Sequence, residues 1–255
     1  MGKIKVDLNS DLGEGFGIYK SGNDEEIMKG VTSVNIACGF HAGDPLTMEK
    51  SVDLAIKYDV AIGAHPGLPD LMGFGRREMK ITPQEAKAYV TYQVGALMAF
   101  IHAHGGILHH VKPHGALYNM AARNYNLAIA IAEAVKSIDR DLILVGLADS
   151  QILKAANEVG IRGASEAFAD RAYLPSGELA PRSIKGAVIT DIKEISERAL
   201  EMVKNGNVKA IDGSLIKIKV DTICVHSDTP ESLNIVKELR EMFYLNGIEV
   251  KRLSR

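Results

Sequence analysis

Only two cysteines, Cys38 and Cys224, occur in 255 residues. They lie far apart in apolar segments and form no Cys-x-x-Cys pair. A disulfide framework and a cysteine-based zinc site are therefore not expected, and a reduced, intracellular setting is. Aromatic residues make up 5% of the chain, 30 basic residues face 32 acidic ones for a net charge of −2, and no Lys/Arg-rich stretch occurs. With a pI near 6.5, that composition argues against a nucleic-acid groove or an anionic membrane as partner and favours a small-molecule ligand. No uncharged run reaches the ~18 residues of a spanning helix, and Met1 to Lys5 lead straight into Val6-Asp7 without a signal-like apolar stretch. A cytoplasmic location is the expectation. Gly13, Gly15 and Gly17 alternate, but Ile18 follows, so the dinucleotide fingerprint is missing. A Walker-type phosphate loop and a His-Glu-x-x-His helix are also absent, so any nucleotide binds by another route and the zincin arrangement is excluded.

What is present is an ordinary globular composition, 46% apolar and 24% charged, at a length that suits one α/β barrel domain over residues 1–255. Apolar runs of strand length alternate with helix-period segments, the pattern of repeated βα units. The strands expected are Ile4 to Leu8, Ser33 to Ala37, Val60 to Ala64, Ile107 to Val111, Leu142 to Leu147, Arg162 to Phe168 and Thr222 to Val225. Thr82-Pro83-Gln84-Glu85 has capping-box spacing with proline at the first helical position and opens a helix stopped by Gly105-Gly106. Asp191 to Glu194 repeats that logic ahead of a helix ending at Gly206, and Thr229-Pro230 opens a last helix closing at Gly247. Shorter helices fit Pro45 to Tyr58, Leu127 to Ile138 and Gln151 to Val159. Asp212-Gly213 between two short apolar runs predicts an inserted β-hairpin.

Seven such strands build either an open doubly wound sheet or a closed barrel. Ionisable residues stand at the carboxyl end of almost every strand, whereas an open sheet gathers its site at one crevice, so the barrel is favoured. Periodicity leaves open whether Ile248 to Leu253 adds an eighth strand.

The strand ends supply Asp7, Asn9, Asp11 and Glu14; Cys38 and His41; His65; Lys112 and His114; Glu166, Asp170 and Arg171; His226 and Asp228. In a barrel these converge on one mouth, where burial and mutual charge tune acid/base groups. Asp7 fits a structural hydrogen-bonding role as well as chemistry. His41, His65 and His114 each follow a strand and precede a glycine or proline turn, equivalent positions that favour function over isolated structural histidines. Asp11, His65 and His114 offer the oxygen and imidazole ligands of a divalent-metal site with an open position; the same groups serve acid/base catalysis without metal, and the residues alone leave both readings open. His102 and His104, at a helix end, read as structural. Arg76 and Arg77 behind a glycine-rich turn suit a carboxylate or phosphate, or equally a solvated basic turn. Asp170 to Lys185 has the composition of a lid.

Six motifs in order carry a resemblance over essentially the whole chain. They are Val6-Asp7-Leu8-Asn9-Ser10-Asp11-Leu12-Gly13-Glu14-Gly15-Phe16-Gly17, Asn35-Ile36-Ala37-Cys38-Gly39-Phe40-His41-Ala42-Gly43-Asp44-Pro45, and Gly63-Ala64-His65-Pro66-Gly67-Leu68-Pro69-Asp70. The others are Gly73-Phe74-Gly75-Arg76-Arg77, Lys112-Pro113-His114-Gly115-Ala116-Leu117-Tyr118-Asn119 and Glu166-Ala167-Phe168-Ala169-Asp170-Arg171-Ala172-Tyr173. Together they closely resemble the LamB/YcsF family. The resemblance implies a distorted (β/α) barrel of the glycoside hydrolase/deacetylase type, and a component of an ATP-dependent 5-oxoprolinase. That enzyme opens 5-oxo-L-proline to L-glutamate together with subunits B and C, with ATP as co-substrate. On this reading Asp11, His41, Lys112 and His114 carry catalysis, with Lys112 stabilising negative charge. Asn9, Glu14, Arg76, Asp170 and Arg171 bind substrate. The related deacetylases place a metal on an aspartate and two histidines, which puts a divalent metal on Asp11, His65 and His114 here. The alternative implied is a stand-alone metal-dependent amidohydrolase or deacetylase acting on a sugar or small amide.

Overall fold

Parallel pairing runs through seven strands in a closed ring, because the last of them pairs with the first. The computed structural model describes residues 3–19, 23–226 and 231–255. The chain runs through Lys5–Leu12 (β1), Asp24–Met28 (α1), Ser33–Ala37 (β2), Pro45–Lys57 (α2), Ala61–His65 (β3), Pro83–Ala103 (α3) and Leu108–Val111 (β4). It continues through Gly115–Arg123 (α4), Tyr125–Ile138 (α5), Ile143–Leu147 (β5), Gln151–Val159 (α6), Arg162–Phe168 (β6) and Ile192–Asn205 (α7). Asn207–Lys209 (β7), Leu215–Lys217 (β8), Thr222–His226 (β9), Ser232–Leu245 (α8) and Glu249–Val250 (β10) complete it. The ring is β1 to β6 followed by β9, which pairs with both β6 and β1. The expected hairpin is present as antiparallel β7 and β8. The Thr229-Pro230 helix start lies outside the described residues. Among the described residues, no helix is long and apolar enough to cross a membrane.

The tail does not close the ring as an eighth strand. β10 pairs with Lys5 and Val6, below the stretch of β1 that meets β9. Leu253 then packs with Ile143, Val145 and Ala164 at the amino-terminal end of the barrel, and its carbonyl accepts a 2.8 Å hydrogen bond from His109 Nε2.

Helix punctuation is satisfied where the sequence places it. The Thr82 amide donates to Glu85 Oε2 at 2.7 Å while the Glu85 amide donates to Thr82 Oγ1 at 3.2 Å, with Pro83 in the first turn of α3. Asp191 Oδ1 accepts from the Glu194 amide at 2.7 Å at the start of α7. Because Thr82 is exposed and serves the cap alone, Thr82→Ala should destabilise the chain by about 1 kcal/mol. A lowered denaturant midpoint at unchanged slope is the readout, and an unmoved midpoint would contradict the cap's contribution.

β1 is longer than its apolar run. Asn9 and Asp11 read as loop residues, yet both stay in the strand because the barrel interior is polar enough to satisfy them. Asp11 lies opposite Asn35, Asn35 opposite Gly63, and Gly63 opposite His110. A Cβ on Gly63 would fall 2.1 Å from His110 Nε2. Only glycine therefore lets that ring cross the interior and donate to Asn35 Oδ1 at 2.8 Å. The Asn35 amide in turn donates to Asn9 Oδ1 and Asp11 Oδ1, each at 2.8 Å. One layer lower, Asp7 accepts from Thr32, Ser33 and Thr222 hydroxyls at 2.6 to 2.7 Å. Those bonds give Asp7 the structural role. Burial pushes its carboxyl above the ordinary range despite them.

Candidate active site

The carboxyl ends of the strands open into a cavity of about 430 Å³. Asp11, Glu14, His65, Lys112, His114 and Arg171 line it, and Arg76 flanks it. Leu174 and Glu178 to Arg182, from the segment expected to be a lid, line its outer side.

Three histidines meet here from separate βα units. His65 ends β3, His114 is the N-cap of α4, and His41 follows β2. The His41 and His114 rings stack at 3.7 Å with 3° between planes, and Gly75 makes room for them. A Cβ on Gly75, whose φ is +63°, would stand 2.6 Å from His41 Cβ and 2.9 Å from His114 Cδ2.

Backbone carbonyls fix the tautomers. His65 Nδ1 donates to the Lys112 carbonyl at 2.7 Å and His114 Nε2 to the Phe74 carbonyl at 2.8 Å, since a carbonyl only accepts. The lone pairs left on His65 Nε2 and His114 Nδ1 then face each other across 3.0 Å. Burial holds His41 and His114 well below the ordinary imidazole range, and neighbouring histidines add to it, so both are neutral near pH 7. Two facing lone pairs call for a positive centre, a proton or a metal ion. Glu14 Oε1 lies 3.4 Å from His41 Nε2 and 3.7 Å from His114 Nδ1, and donor atoms of Glu14, His41, His65 and His114 all lie within 4.8 Å of one another. Ligands about 2.0–2.1 Å from a tetrahedral ion stand roughly 3.3 Å apart, so this donor set fits a divalent cation. The carbonyls on the outer ring nitrogens orient the His65 and His114 rings, as the partners of metal-bound imidazoles do.

Asp11 stands at the edge of this group. Its Oδ2 is 3.3 Å from His65 Nε2, while Oδ1 accepts from Lys112 at 2.9 Å and Asn35 at 2.8 Å. Glu14 and His41 form the four-donor set with His65 and His114, and Asp11, expected as a ligand, adjoins that set through His65. Burial alone would raise the Asp11 carboxyl, but the neighbouring His65 imidazole and the Lys112 ammonium outweigh it and hold Asp11 well below the usual range. Lys112 is enclosed in the same way. Burial opposes its charge, yet Asp11, the Cys224 sulfur and Glu166 around it keep the ammonium well above its ordinary value. Glu166 Oε1 is 2.7 Å from Lys112 Nζ, and Glu166 Oε2 accepts from the Tyr118 hydroxyl at 2.8 Å. Both cysteines are buried thiols. Burial pushes Cys38 up to about 12 and Cys224 well above its ordinary value, so neither is an activated nucleophile.

Three expected site residues lie behind the cavity wall. Asn9 spends its amide on Glu166 Oε1 at 3.1 Å and Thr222 at 2.7 Å, His41 sits behind His114, and Asp170 backs His226. Among the described residues, none of the three lines the cavity. The two arginines of the glycine-rich turn separate: Arg77 is ion-paired to Asp70, while Arg76 lies over the Phe74 ring at the cavity. Glu166 and His226 were visible only as strand-end ionisable groups, and Tyr118 and Arg182 carried no signal beyond their neighbourhoods. Asp228 lies outside the described residues.

Residues 6–255 match the model of the LamB/YcsF family. The chain belongs to the LamB/YcsF family. The A subunit of 5-oxoprolinase from Pyrococcus horikoshii is 56% identical over 97% of this chain and 97% of its own length. The crystal structure of a lactam utilization protein from Thermus thermophilus superposes with a TM-score of 0.92 at 49% identity, covering 98% of this chain and all of that one. A family 4 carbohydrate esterase from Streptomyces lividans, 12% identical with a TM-score of 0.50 over 98% of this chain and 93% of that one, shares the fold alone. The LamB/YcsF match takes in every strand of the ring and thus every element that brings a side chain to the cavity.

Proposed function

We propose that this chain is the barrel component of an ATP-dependent 5-oxoprolinase. It opens the lactam of 5-oxo-L-proline to L-glutamate together with subunits B and C, and works in the cytoplasm. The observation that carries the reading is a cluster of facing imidazole lone pairs beside a buried ammonium, in a chain whose relatives at 53–56% identity bear the name of the A subunit of 5-oxoprolinase. A five-membered lactam is an unactivated amide, and ATP makes it a better electrophile by phosphorylating its oxygen.

The residues divide the work by charge. Lys112, held as an ammonium at the cavity floor, stabilises negative charge developing on the substrate. Arg76 and Arg171 line the cavity, and their role in this reading is to hold the substrate carboxylate or a phosphoryl group. Burial, then the neighbouring Arg182, lower Arg171 to about 10, which leaves it a cation at neutral pH. Arg171 is positioned by the Ala180 carbonyl of the lid segment at 2.7 Å and the Ala187 carbonyl just beyond it at 3.3 Å. Glu14, His41, His65 and His114 would hold a divalent cation, which when bound supplies Lewis-acid polarisation of the carbonyl.

Glutamate release from 5-oxoproline and ATP tests this reading, with the chain alone and then mixed with subunits B and C. Release from the full mixture alone is expected, and His114→Ala should abolish it. Full activity of that variant would sink the role given to His114. Amide hydrolysis by the chain alone, without ATP and suppressed by a chelator, would replace this reading with a stand-alone metal-dependent amidohydrolase or deacetylase.

A further inference from the structure

Each imidazole of the histidine cluster is already engaged within it. His65 and His114 each commit one ring nitrogen to a backbone carbonyl and the other to the cluster. His41 is sealed behind them. Lys112 is locked as a cation and Asp11 as a weakly basic anion. Lactam opening nevertheless needs a group that removes a proton from water and returns one to nitrogen.

His226, the last residue of β9, lines the same cavity. Its Nδ1 lies 2.6 Å from Asp170 Oδ2, and its ring stacks on Phe168 with centroids 5.7 Å apart and 23° between planes. Asp170 is buried, which would raise its carboxyl, but the His226 imidazole and their hydrogen bond outweigh that and hold it below the usual range. An ionised Asp170 accepts, so Nδ1 carries the hydrogen and Nε2 keeps its lone pair. That Nε2 stands 3.4 Å from a guanidinium nitrogen of Arg182, itself a cavity residue. A carboxylate behind an imidazole, fixing its tautomer and stabilising its cation, is the arrangement of a general base.

We propose that His226 is the proton carrier of the lactam-opening reaction and that Asp170 is its positioning residue. The inference rests on the lactam-opening reading above. His226 Nε2 accepts a proton from water as the water oxygen bonds to the carbonyl carbon. When the carbon–nitrogen bond breaks, its electron pair goes to nitrogen and the imidazolium returns that proton there, leaving a free amine and an acyl phosphate on the phosphorylated oxygen; a second water then cleaves the acyl phosphate to a carboxylate and inorganic phosphate. Among the described residues, Asp170 after β6, Asp11 on β1, Arg182 from the lid segment and Cys224 on β9 stand around the ring.

The test uses this chain assembled with subunits B and C. His226→Gln should lower kcat by at least about 100-fold with little change in KM. Asp170→Asn should lower kcat and move the acidic limb of the kcat–pH profile to lower pH, because the imidazolium loses its anionic partner. Added imidazole should restore part of the activity of His226→Ala, a rescue that a merely structural role does not give. A His226→Gln enzyme within about threefold of wild-type kcat across the profile would overturn the dyad and leave the lactam reading intact. If the wild-type assembly releases no glutamate, that reading fails, and proton NMR of the chain alone then decides the dyad separately. A downfield Nδ1–H resonance lost in Asp170→Asn supports the pair, and its absence from the wild-type spectrum overturns it.

Discussion

Lys112→Met should be among the most damaging single substitutions in the molecule, costing about 3–5 kcal/mol of stability and abolishing glutamate release. The reason is the pair of carboxylates it would leave behind. Lys112 Nζ lies 2.9 Å from Asp11 Oδ1 and 2.7 Å from Glu166 Oε1. Glu166 is fully buried and Asp11 nearly so. A methionine keeps the volume but supplies no charge, so at least one carboxyl must take up a proton or stay ionised without a partner. Two further contacts are lost, to Asn9 Oδ1 at 3.3 Å and to Cys224 at 3.2 Å. The double substitution Lys112→Met with Glu166→Gln separates charge from packing. Removing one stranded carboxylate should recover a substantial part of the lost stability, though not the activity. Urea midpoints of the two variants are the measurement. A single variant within about 1 kcal/mol of wild type would contradict this account of the barrel floor.

The strand-end histidines and Lys112 were legible because βα alternation fixes which end of a barrel strand faces the mouth. Once Ala61–His65 and Leu108–Val111 are strands, His65 and the Lys112-Pro113-His114 turn must lie on the same side. The stacking of His41 on His114 was not legible. It depends on the room left by Gly75, a third segment whose path no local pattern reports. The interior network of Asn9, Asn35 and His110 was hidden for a related reason. A run of polar residues after Leu8 looks like the end of a strand unless a polar interior awaits it, and that interior is built from strands 26 to 213 residues away. Asp170 was visible as a strand-end carboxylate, and its substrate role came only from the family resemblance. Only the position of His226, 56 residues on, shows that its carboxylate is already engaged. The tail was ambiguous because Glu249 and Val250 are genuinely paired as a strand, but beside the lower end of β1 and outside the ring.

Freed of divalent cations by a chelator, the chain should lose stability steadily as pH falls below about 6.5. His41, His110 and His114 are buried, and burial holds each well below the ordinary imidazole range. Above pH 6.5 neither the folded nor the unfolded chain binds protons at these sites, and their contribution is fully present. Below it the unfolded chain takes up protons that the folded chain refuses, so stability falls by up to roughly 1 kcal/mol per pH unit for each ring. Asp11 and Asp170, held low in the folded state, add to the loss only near and below the carboxylate range. Asp7 and Asp24, both raised by burial, oppose it just above that range. Thermal midpoints from pH 8 to pH 5, about the window of imidazole titration, should therefore slope downward on the acid side, and a flat profile would contradict three neutral buried rings. His110→Gln should weaken this slope, since that ring sits in the Asn35 network away from the four donors. Adding zinc at neutral pH should raise the midpoint of the chelator-treated wild type by mass action. The rise should survive in His110→Gln and vanish in His114→Ala, because the cation and the proton compete for the lone pair at His114 Nδ1 and not for the ring of His110.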